Sequence, residues 1–127
     1  MRLLFDTHIM LDIIQMGLLG RRSKYQRLLS EAEEGFVSVA TLWEITIKAR
    51  LGKLDPGMPV EELADYLESA GFLLLDVTRH HAVASVDPEP PTRDPFDRML
   101  LAQCGVEGLS LVTLDRALAV HPLALPA

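Results

Sequence analysis

The sequence predicts an α/β fold with a parallel central sheet and helices on both of its faces. Short apolar runs alternate along the chain with segments of helical periodicity, which is the order of repeated strand–helix units. These runs are almost unbroken in apolar residues, as strands buried on both faces are. The 127 residues contain neither an internal repeat nor a linker, so we expect residues 1–127 to form a single domain.

In chain order, the first predicted elements are a strand at residues 2–5, helices at 8–16 and 23–34, a strand at 36–39 and a helix at 42–51. Gly17, Gly35 and Gly52 follow the three helices and are expected to end them, because glycine adopts the left-handed conformation common at helix ends. The Pro and Gly residues between 55 and 59 indicate a loop.

The later predicted elements are a helix at 61–70, a strand at 72–77, a short helix after Thr78, a helix at 95–106, a strand at 109–113 and a helix at 115–120. Thr78 and Asp94 are favoured helix caps, and Pro95 suits the first helical position. Residues 87–91 include three prolines. They are expected to form a stiff loop, because proline removes a backbone donor and restricts its neighbour.

Composition limits the class of protein. With 49% hydrophobic and 24% charged residues, the chain has an ordinary globular composition. The single Cys104 excludes an intramolecular disulfide, fits a reducing compartment and lies in an apolar context that indicates a buried helix position. No stretch has the length of a signal-peptide core or a membrane span, so we expect a cytoplasmic protein without membrane association.

The net charge of −6 argues against a passive nucleic-acid coat protein, because sequence-independent affinity for phosphates comes from Lys and Arg. It does not exclude an enzyme whose bound metal reverses the sign of the local field. Two basic clusters are either solvated helix faces or an RNA-binding surface. They are Arg21, Arg22, Lys24 and Arg27, and Lys48, Arg50 and Lys53.

Four acidic residues stand at or just after the ends of predicted strands, where the following helix begins: Asp6, Glu44, Asp97 and Asp115. In a parallel α/β sheet such positions lie along one rim, where ligands and catalytic groups collect. Carboxylates brought together repel one another and resist ionising unless a cation lies between them. The economical interpretation is a divalent-metal site of oxygen ligands, which indicates phosphate chemistry.

The same residues have a structural interpretation. Asp is a favoured helix cap and an acid in the first turn stabilises the helix dipole, so each of these aspartates, and Asp94 as well, also suits a helix N-terminus. Glu44 differs, because it lies about one turn into a helix among apolar residues, where a charge is costly without a partner. Lys48, four residues later on the same face, is that partner in the structural alternative.

Four segments along the chain read LLFDTH at residues 3–8, SVATLWEI at 38–45, RDPFDRML at 93–100 and LVTLD at 111–115. In this order and spacing they resemble the PIN-domain family and, more narrowly, the VapC-type ribonuclease toxins of prokaryotic toxin–antitoxin pairs. The resemblance covers essentially the whole chain, and residues 93–101 are its most specific part. It implies a PIN-like domain with three layers, α/β/α, around a parallel sheet.

In that family the acids matching Asp6, Glu44, Asp97 and Asp115 form the metal site of a Mg²⁺- or Mn²⁺-dependent endoribonuclease. The resemblance implies that Asp6 and Asp97 are the most direct metal ligands. Glu44 matches a supporting acid that also contacts the attacking water or a second metal. Asp115 matches the acid that varies most within the family.

The resemblance extends to residues near these acids. Thr7 and Thr113 match hydroxyl positions beside the first and fourth acids, where they orient a carboxylate or bind phosphate. Asp94 is expected to cap a helix, and it could also orient the neighbouring metal ligand Asp97. Arg98 is expected either to bind substrate phosphate or to pair with an acid. Where the family pattern has an aromatic after the first motif, this chain has Asp12, which we expect at the surface or against a partner.

The implied reaction is hydrolysis of RNA phosphodiester bonds by a metal-activated water, leaving a 5′-phosphate and a 3′-hydroxyl. The sequence shows no Ser-His or Cys-His pairing of the kind that forms a covalent intermediate. His8, His80 and His81 lack the spacing of a zinc site and are expected to be structural or exposed. The resemblance also implies a cognate antitoxin as partner and favours a homodimer.

Other functions remain open at this point. A regulatory PIN-like binding module without turnover predicts that at least one of the four acids is missing, and none is. A phosphatase with Asp6 as nucleophile predicts a second aspartate two residues later, where this chain has His8. A DNA structure-specific nuclease is closer in chemistry, but the chain has no obvious extra segments to grip DNA.

Overall fold

A five-stranded parallel sheet forms the centre of the computed structural model, which describes residues 1–20 and 28–126. Its strands are β1 (Arg2–Phe5), β2 (Glu34–Ser38), β3 (Leu73–Leu75), β4 (Ser110–Thr113) and β5 (Ala124–Pro126). The order across the sheet is β3-β2-β1-β4-β5, and every neighbouring pair is parallel. The carboxyl ends of all five strands therefore share one edge.

The helices are α1 (Thr7–Gly20), α2 (Val39–Arg50), α3 (Leu63–Ser69), α4 (Arg79–Val83), α5 (Pro95–Glu107) and α6 (Arg116–Ala119). A 3₁₀ turn at Val60–Glu62 leads directly into α3. Residues 28–31 are also helical. None of the helices in the described part of the chain is both long and apolar enough to span a membrane.

Residues of each strand alternate between two hydrophobic cores, because successive side chains of a strand point to opposite faces. In β1, Leu3 and Phe5 pack with α1, α2 and α3 on one face, whereas Leu4 packs with α5 and α6 on the other. In β4, Val112 and Leu111 repeat this alternation. Each such buried side chain contributes about 1.5–3 kcal/mol relative to exposure. The predicted parallel sheet with helices on both faces is thus confirmed.

Two glycines do not end helices as predicted. Helix α1 continues past Gly17 to Gly20. Gly35 lies inside β2 and pairs with Leu3 of β1. A Cβ built on Gly35 would lie 3.3 Å from the Phe5 ring, so glycine allows close packing there rather than ending a helix, and a larger residue would require the ring to shift. Residues 23–27 of the predicted second helix lie outside the described residues.

The sheet differs from the prediction at its edges. β5 was not predicted, because its three residues include Pro126, and proline argues against a strand except at an edge, where its missing donor is harmless. At the opposite edge β3 is limited to Leu73–Leu75, shorter than the predicted 72–77. Both misses concern edge strands, whose pairing adds few local signals to the sequence.

The predicted helix starts are confirmed where a cap signal was present. The Thr78 hydroxyl accepts from the His81 backbone N–H at the start of α4. Asp94 caps α5, and Pro95 is its first residue. Residues 87–91 form no helix or strand. Cys104 is a buried residue of α5, as expected.

Candidate functional site

The four acids lie where the topology brings strand ends and helix starts together. Asp6 directly follows β1, and its backbone N–H still donates to the Val112 carbonyl of β4 at 3.0 Å. Asp115 stands two residues after the end of β4. Glu44 lies in the second turn of α2, and Asp97 in the first turn of α5.

Asp6 is buried and uses both carboxylate oxygens. Oδ1 accepts from the Ile9 backbone N–H at 3.0 Å, which caps α1, and Oδ2 accepts from the Thr113 hydroxyl. Burial raises the pKa of Asp6, the charge of Asp115 adds to the rise, and these two donors oppose it. The cap interpretation is therefore correct for Asp6, but each oxygen keeps a second lone pair for a further partner.

The Thr113 hydroxyl links Asp6 to Asp115. It donates to Asp6 and accepts from the Asp115 backbone N–H at 3.0 Å. The side chain of Asp115 is exposed and caps α6 by accepting from the Ala117 N–H at 2.8 Å. Thr113 thus orients a carboxylate, one of the two roles expected from its position.

A second hydroxyl pair positions Glu44. The Thr7 hydroxyl donates to Glu44 Oε1 at 2.7 Å and lies 3.2 Å from the Thr41 hydroxyl. Because Thr7 has one hydroxyl proton, Thr41 is the donor of the second bond. Sequence reasoning missed Thr41, although its place three residues before Glu44 puts both on one helix face.

Lys48 is the charge partner of Glu44. Its ammonium group lies 2.5 Å from Glu44 Oε2, while the Glu44 side chain is only 6% exposed. The pKa of Lys48 is raised, first by this hydrogen bond and further by the charges of Asp94 and Asp97, although partial burial opposes the rise. The structural alternative for Glu44 is therefore present, and the same lysine lies in the field of the other acids.

Asp97 is the acid whose ionisation the fold opposes most clearly. Burial first, and then the charges of Asp94, Glu44 and Asp115, raise its pKa to about 6. A hydrogen bond from the Thr92 hydroxyl to Oδ2, at 3.3 Å, acts in the opposite direction. These mutual effects make Glu44, Asp97 and Asp115 electrostatic neighbours.

Asp97 does not cap a helix. The cap of α5 is Asp94, whose Oδ1 accepts from the backbone N–H groups of Phe96 and Asp97 at 2.8 and 3.4 Å. The cap interpretation is confirmed for Asp6, Asp94 and Asp115, whereas Asp97 lies in the first turn of α5, where an acid stabilises the helix dipole. Thr92, which the sequence did not single out, joins the cap to the site because it also accepts from the Asp94 N–H.

Arg98 pairs with an acid, which was one of the two expectations for it. Its guanidinium donates to Glu89 on the proline-rich loop. Both residues line a cleft of about 570 Å³ together with Pro90, Pro91, Thr92 and Arg93. Through Thr92 this cleft adjoins Asp97.

His8, His80 and His81 are structural or exposed, as expected from the sequence. His8 and His80 are exposed. His81 is buried, accepts from the Thr78 N–H at Nδ1 and lies 2.7 Å from Glu107 through Nε2. Since Nδ1 accepts, Nε2 carries the proton and donates to Glu107.

Among the described residues, no three Asp, Glu, His or Cys side chains converge closely enough to hold a metal ion. The donor set nevertheless fits a hard divalent cation, because it consists of carboxylate oxygens whose negative charges repel one another. Mutual repulsion contributes to the raised pKa values of Asp6 and Asp97. A cation at this site would relieve that repulsion.

The raised pKa of Asp97 predicts a pH dependence of stability in metal-free protein. Because the pKa is about 6 in the fold and 3.8 for the free group, the protonated form is favoured by folding. The stabilisation is complete below pH about 4 and is lost as the pH rises through about 6. In EDTA, the urea midpoint should therefore fall more between pH 5 and 7.5 in wild type than in Asp97→Asn. An equal fall in both proteins would contradict the shift, and Asp65→Asn, at an exposed position in α3, is the control.

Comparisons with known proteins agree with this fold. A sequence model of the family described as PIN domain matches residues 3–122. The crystal structure of VapBC2 from Rickettsia felis bound to a DNA fragment from their promoter contains a similar chain, with a TM-score of 0.69 and 14% identity over 100% of this chain and 98% of that chain. A toxin–antitoxin complex from Klebsiella pneumoniae is similar with a TM-score of 0.64 and 21% identity, over 97% of this chain and 95% of that chain. No curated protein matches the sequence.

Proposed function

We propose that this chain, which belongs to the PIN-domain family, is a metal-dependent endoribonuclease and the toxin of a toxin–antitoxin pair. PIN domains are generally nucleases. The solved chains that it resembles come from toxin–antitoxin complexes. We propose RNA as the substrate, Mg²⁺ or Mn²⁺ as the cofactor, a cognate antitoxin as the partner and a homodimer as the assembly.

The observation that carries this function is the state of Asp97. Its carboxylate, which caps no helix, is partly buried among other acids, and burial, together with the charges of those acids, raises its pKa to about 6. Strongly perturbed groups of this kind cluster at functional sites, because folding alone gains nothing from crowding like charges. A purely structural role explains the aspartates that cap helices, but it leaves this crowding unexplained.

We propose one role for each acid, from the family resemblance and with support from its contacts. Asp6 and Asp97 are the proposed direct metal ligands, and Asp115 completes the set from the exposed side. Thr113 orients Asp6, and Thr7 orients Glu44, by donating hydrogen bonds to their carboxylates. Glu44 is the proposed supporting acid.

A divalent cation bound by these residues would lower the pKa of a coordinated water and neutralise charge on the substrate phosphate. The carboxylates would hold the cation, and the threonine hydroxyls that orient them would thereby fix the position at which the phosphate charge is neutralised. Arg98, which pairs with Glu89 on the edge of the adjoining cleft, is the proposed contact for a substrate phosphate.

Lys48 gives a direct test of the electrostatics. Lys48→Met keeps the apolar stem but removes the cation paired with Glu44, so metal-free protein should lose about 1.5–3 kcal/mol of unfolding free energy, the range for a hydrogen bond to a charged group. Mn²⁺ should bind several-fold more tightly, because a competing positive charge is gone. Calorimetric titration with Mn²⁺ measures the affinity. Unchanged or weaker Mn²⁺ binding would contradict the proposed closeness of Lys48 to the metal.

The biological role is tested by expression in bacteria. Expression of the wild-type chain alone should arrest growth, and Asp97→Asn should relieve the arrest while the protein remains soluble. Asp65→Asn, which removes an exposed charge, should arrest growth as wild type does. If cells tolerate soluble protein that cleaves RNA in vitro, the toxin role is wrong although the nuclease chemistry is right.

A further inference from the structure

Trp43 is an exposed aromatic side chain on α2, the helix that carries Glu44. Its exposed fraction is 63%, and among residues 1–15 and 28–125, whose burial is described, no other aromatic is exposed. Trp43 directly precedes Glu44, and its ring lies against Phe96, which directly precedes Asp97. The two rings in contact thus belong to residues that directly precede two of the proposed site acids, on the same two helices.

Phe96 supports the indole of Trp43 from one side. The ring centroids are 5.8 Å apart and the interplanar angle is 72°, an edge-to-face contact. Aromatic rings prefer such a geometry to a face-to-face sandwich. Because the contact restrains the Trp43 side chain before any ligand arrives, less conformational entropy is lost when another ring stacks on it.

The acids beside the rings decide which ligand fits. A single exposed apolar side chain is ordinary on a protein surface, and the exposure of Trp43 alone indicates no ligand. An apolar protein segment covering the rings would also remove water from the partly exposed Asp97, which is costly for a charged group. A nucleotide combines a flat base that stacks on an aromatic ring with an anionic phosphate that suits a cation held by carboxylates.

We propose that Trp43, supported by Phe96, is the stacking platform for an unpaired nucleobase next to the cleaved phosphodiester of single-stranded RNA. The inference rests on the proposed function and adds to it a residue that positions the RNA strand where its bases are unstacked at the cut site. Because every base has a face that stacks, the platform positions the strand without reading its sequence.

The chain offers a direct probe, because Trp43 is its only tryptophan. The experiment titrates wild-type protein, in EDTA and again in Ca²⁺, with a short single-stranded oligouridylate while the tryptophan emission is recorded. A fluorescein-labelled copy of the same RNA reports binding by anisotropy in a parallel sample. Bound single-stranded RNA should quench the emission, and the same RNA annealed into a duplex should leave it unchanged.

Substitutions separate stacking from general affinity. Trp43→Ala should weaken binding of the oligouridylate about fivefold to a hundredfold, the range for loss of one stacked base, whereas Trp43→Phe should retain most of the affinity. Leu51→Ala is the matched control, since Leu51 is also 63% exposed and lies at the end of the same helix, about two turns beyond Glu44. With a cleavable RNA, Trp43→Ala should raise KM more than it lowers kcat.

The platform is refuted if RNA binds without changing the tryptophan emission, if it binds equally to wild type and Trp43→Ala, or if no single-stranded RNA binds. Quenching by an antitoxin chain but not by RNA would assign the ring pair to a protein contact and also overturn the proposal. The proposed function has a separate readout, which is cleavage in Mn²⁺. Cleavage without quenching refutes the platform alone, and quenching without cleavage refutes the nuclease alone.

Discussion

Removal of divalent metal by EDTA is expected to lower the rate of RNA cleavage by the purified protein at least about a thousandfold. A catalytic cation contributes several kcal/mol to phosphoryl chemistry, and each 1.36 kcal/mol corresponds to a tenfold change in rate. The groups gathered at the site are carboxylates, threonine hydroxyls and the Lys48 ammonium group. These groups bind and orient, so the reaction should depend on the added cation.

The measurement is the initial rate of cleavage of total cellular RNA with Mg²⁺, with Mn²⁺ and with excess EDTA. Returning Mn²⁺ to the EDTA-treated sample should restore the rate. Asp97→Asn, purified in the same way, is the control for a contaminating nuclease and should be inactive under all conditions. Equal rates with and without EDTA would show that the metal mechanism is wrong.

The second large effect concerns Asp6 and distinguishes a metal ligand from a helix cap. At a hundredfold excess over its dissociation constant, a ligand stabilises the native state by roughly 2.7 kcal/mol, which for a domain of this size raises the Tm by on the order of 10 °C. Mn²⁺ should produce such a rise in wild type. In Asp6→Asn the rise should be lost or much reduced, together with RNA cleavage.

The metal-free stability of the same variant tests the cap. Asn caps a helix about as well as Asp, so the bond from the Ile9 N–H to the side chain at position 6 should be kept. Removing a charge whose pKa is raised by burial and by Asp115 should leave the metal-free Tm unchanged or higher. The control is Asp65→Asn, which should show the full wild-type response. A wild-type response to Mn²⁺ in Asp6→Asn would mean that Asp6 does not hold the metal.

Most of the fold could be predicted from the sequence because its signals are local. Apolar runs identified β1 and β4, and cap residues identified the starts of α4 and α5. The failures occurred where a residue type has more than one use. Gly35 was interpreted as a helix end, whereas it makes room for the Phe5 ring inside the sheet. Pro126 concealed an edge strand, since proline is compatible with a strand only where one donor is not needed.

In the candidate site, too, the features that could be predicted are those that depend on residues close in sequence. The pairing of Glu44 with Lys48 could be anticipated, because residues four apart on a helix are neighbours whatever the tertiary structure. The cap roles of Asp94 and Asp115 were equally local. The four acids themselves were chosen from the sequence, and their function as metal ligands remains a proposal.

By itself, the sequence determined the α/β class, the alternation of elements, the helix caps and the identity of the acids, since each depends on neighbours within a few residues. Only the tertiary structure decided that the Thr113 hydroxyl bonds Asp6, 107 positions away, that Trp43 rests on Phe96, and that burial among other acids raises the pKa of Asp97 to about 6. Those facts depend on which strands pair, in which register, and on how far helices exclude water, and no local pattern encodes any of these.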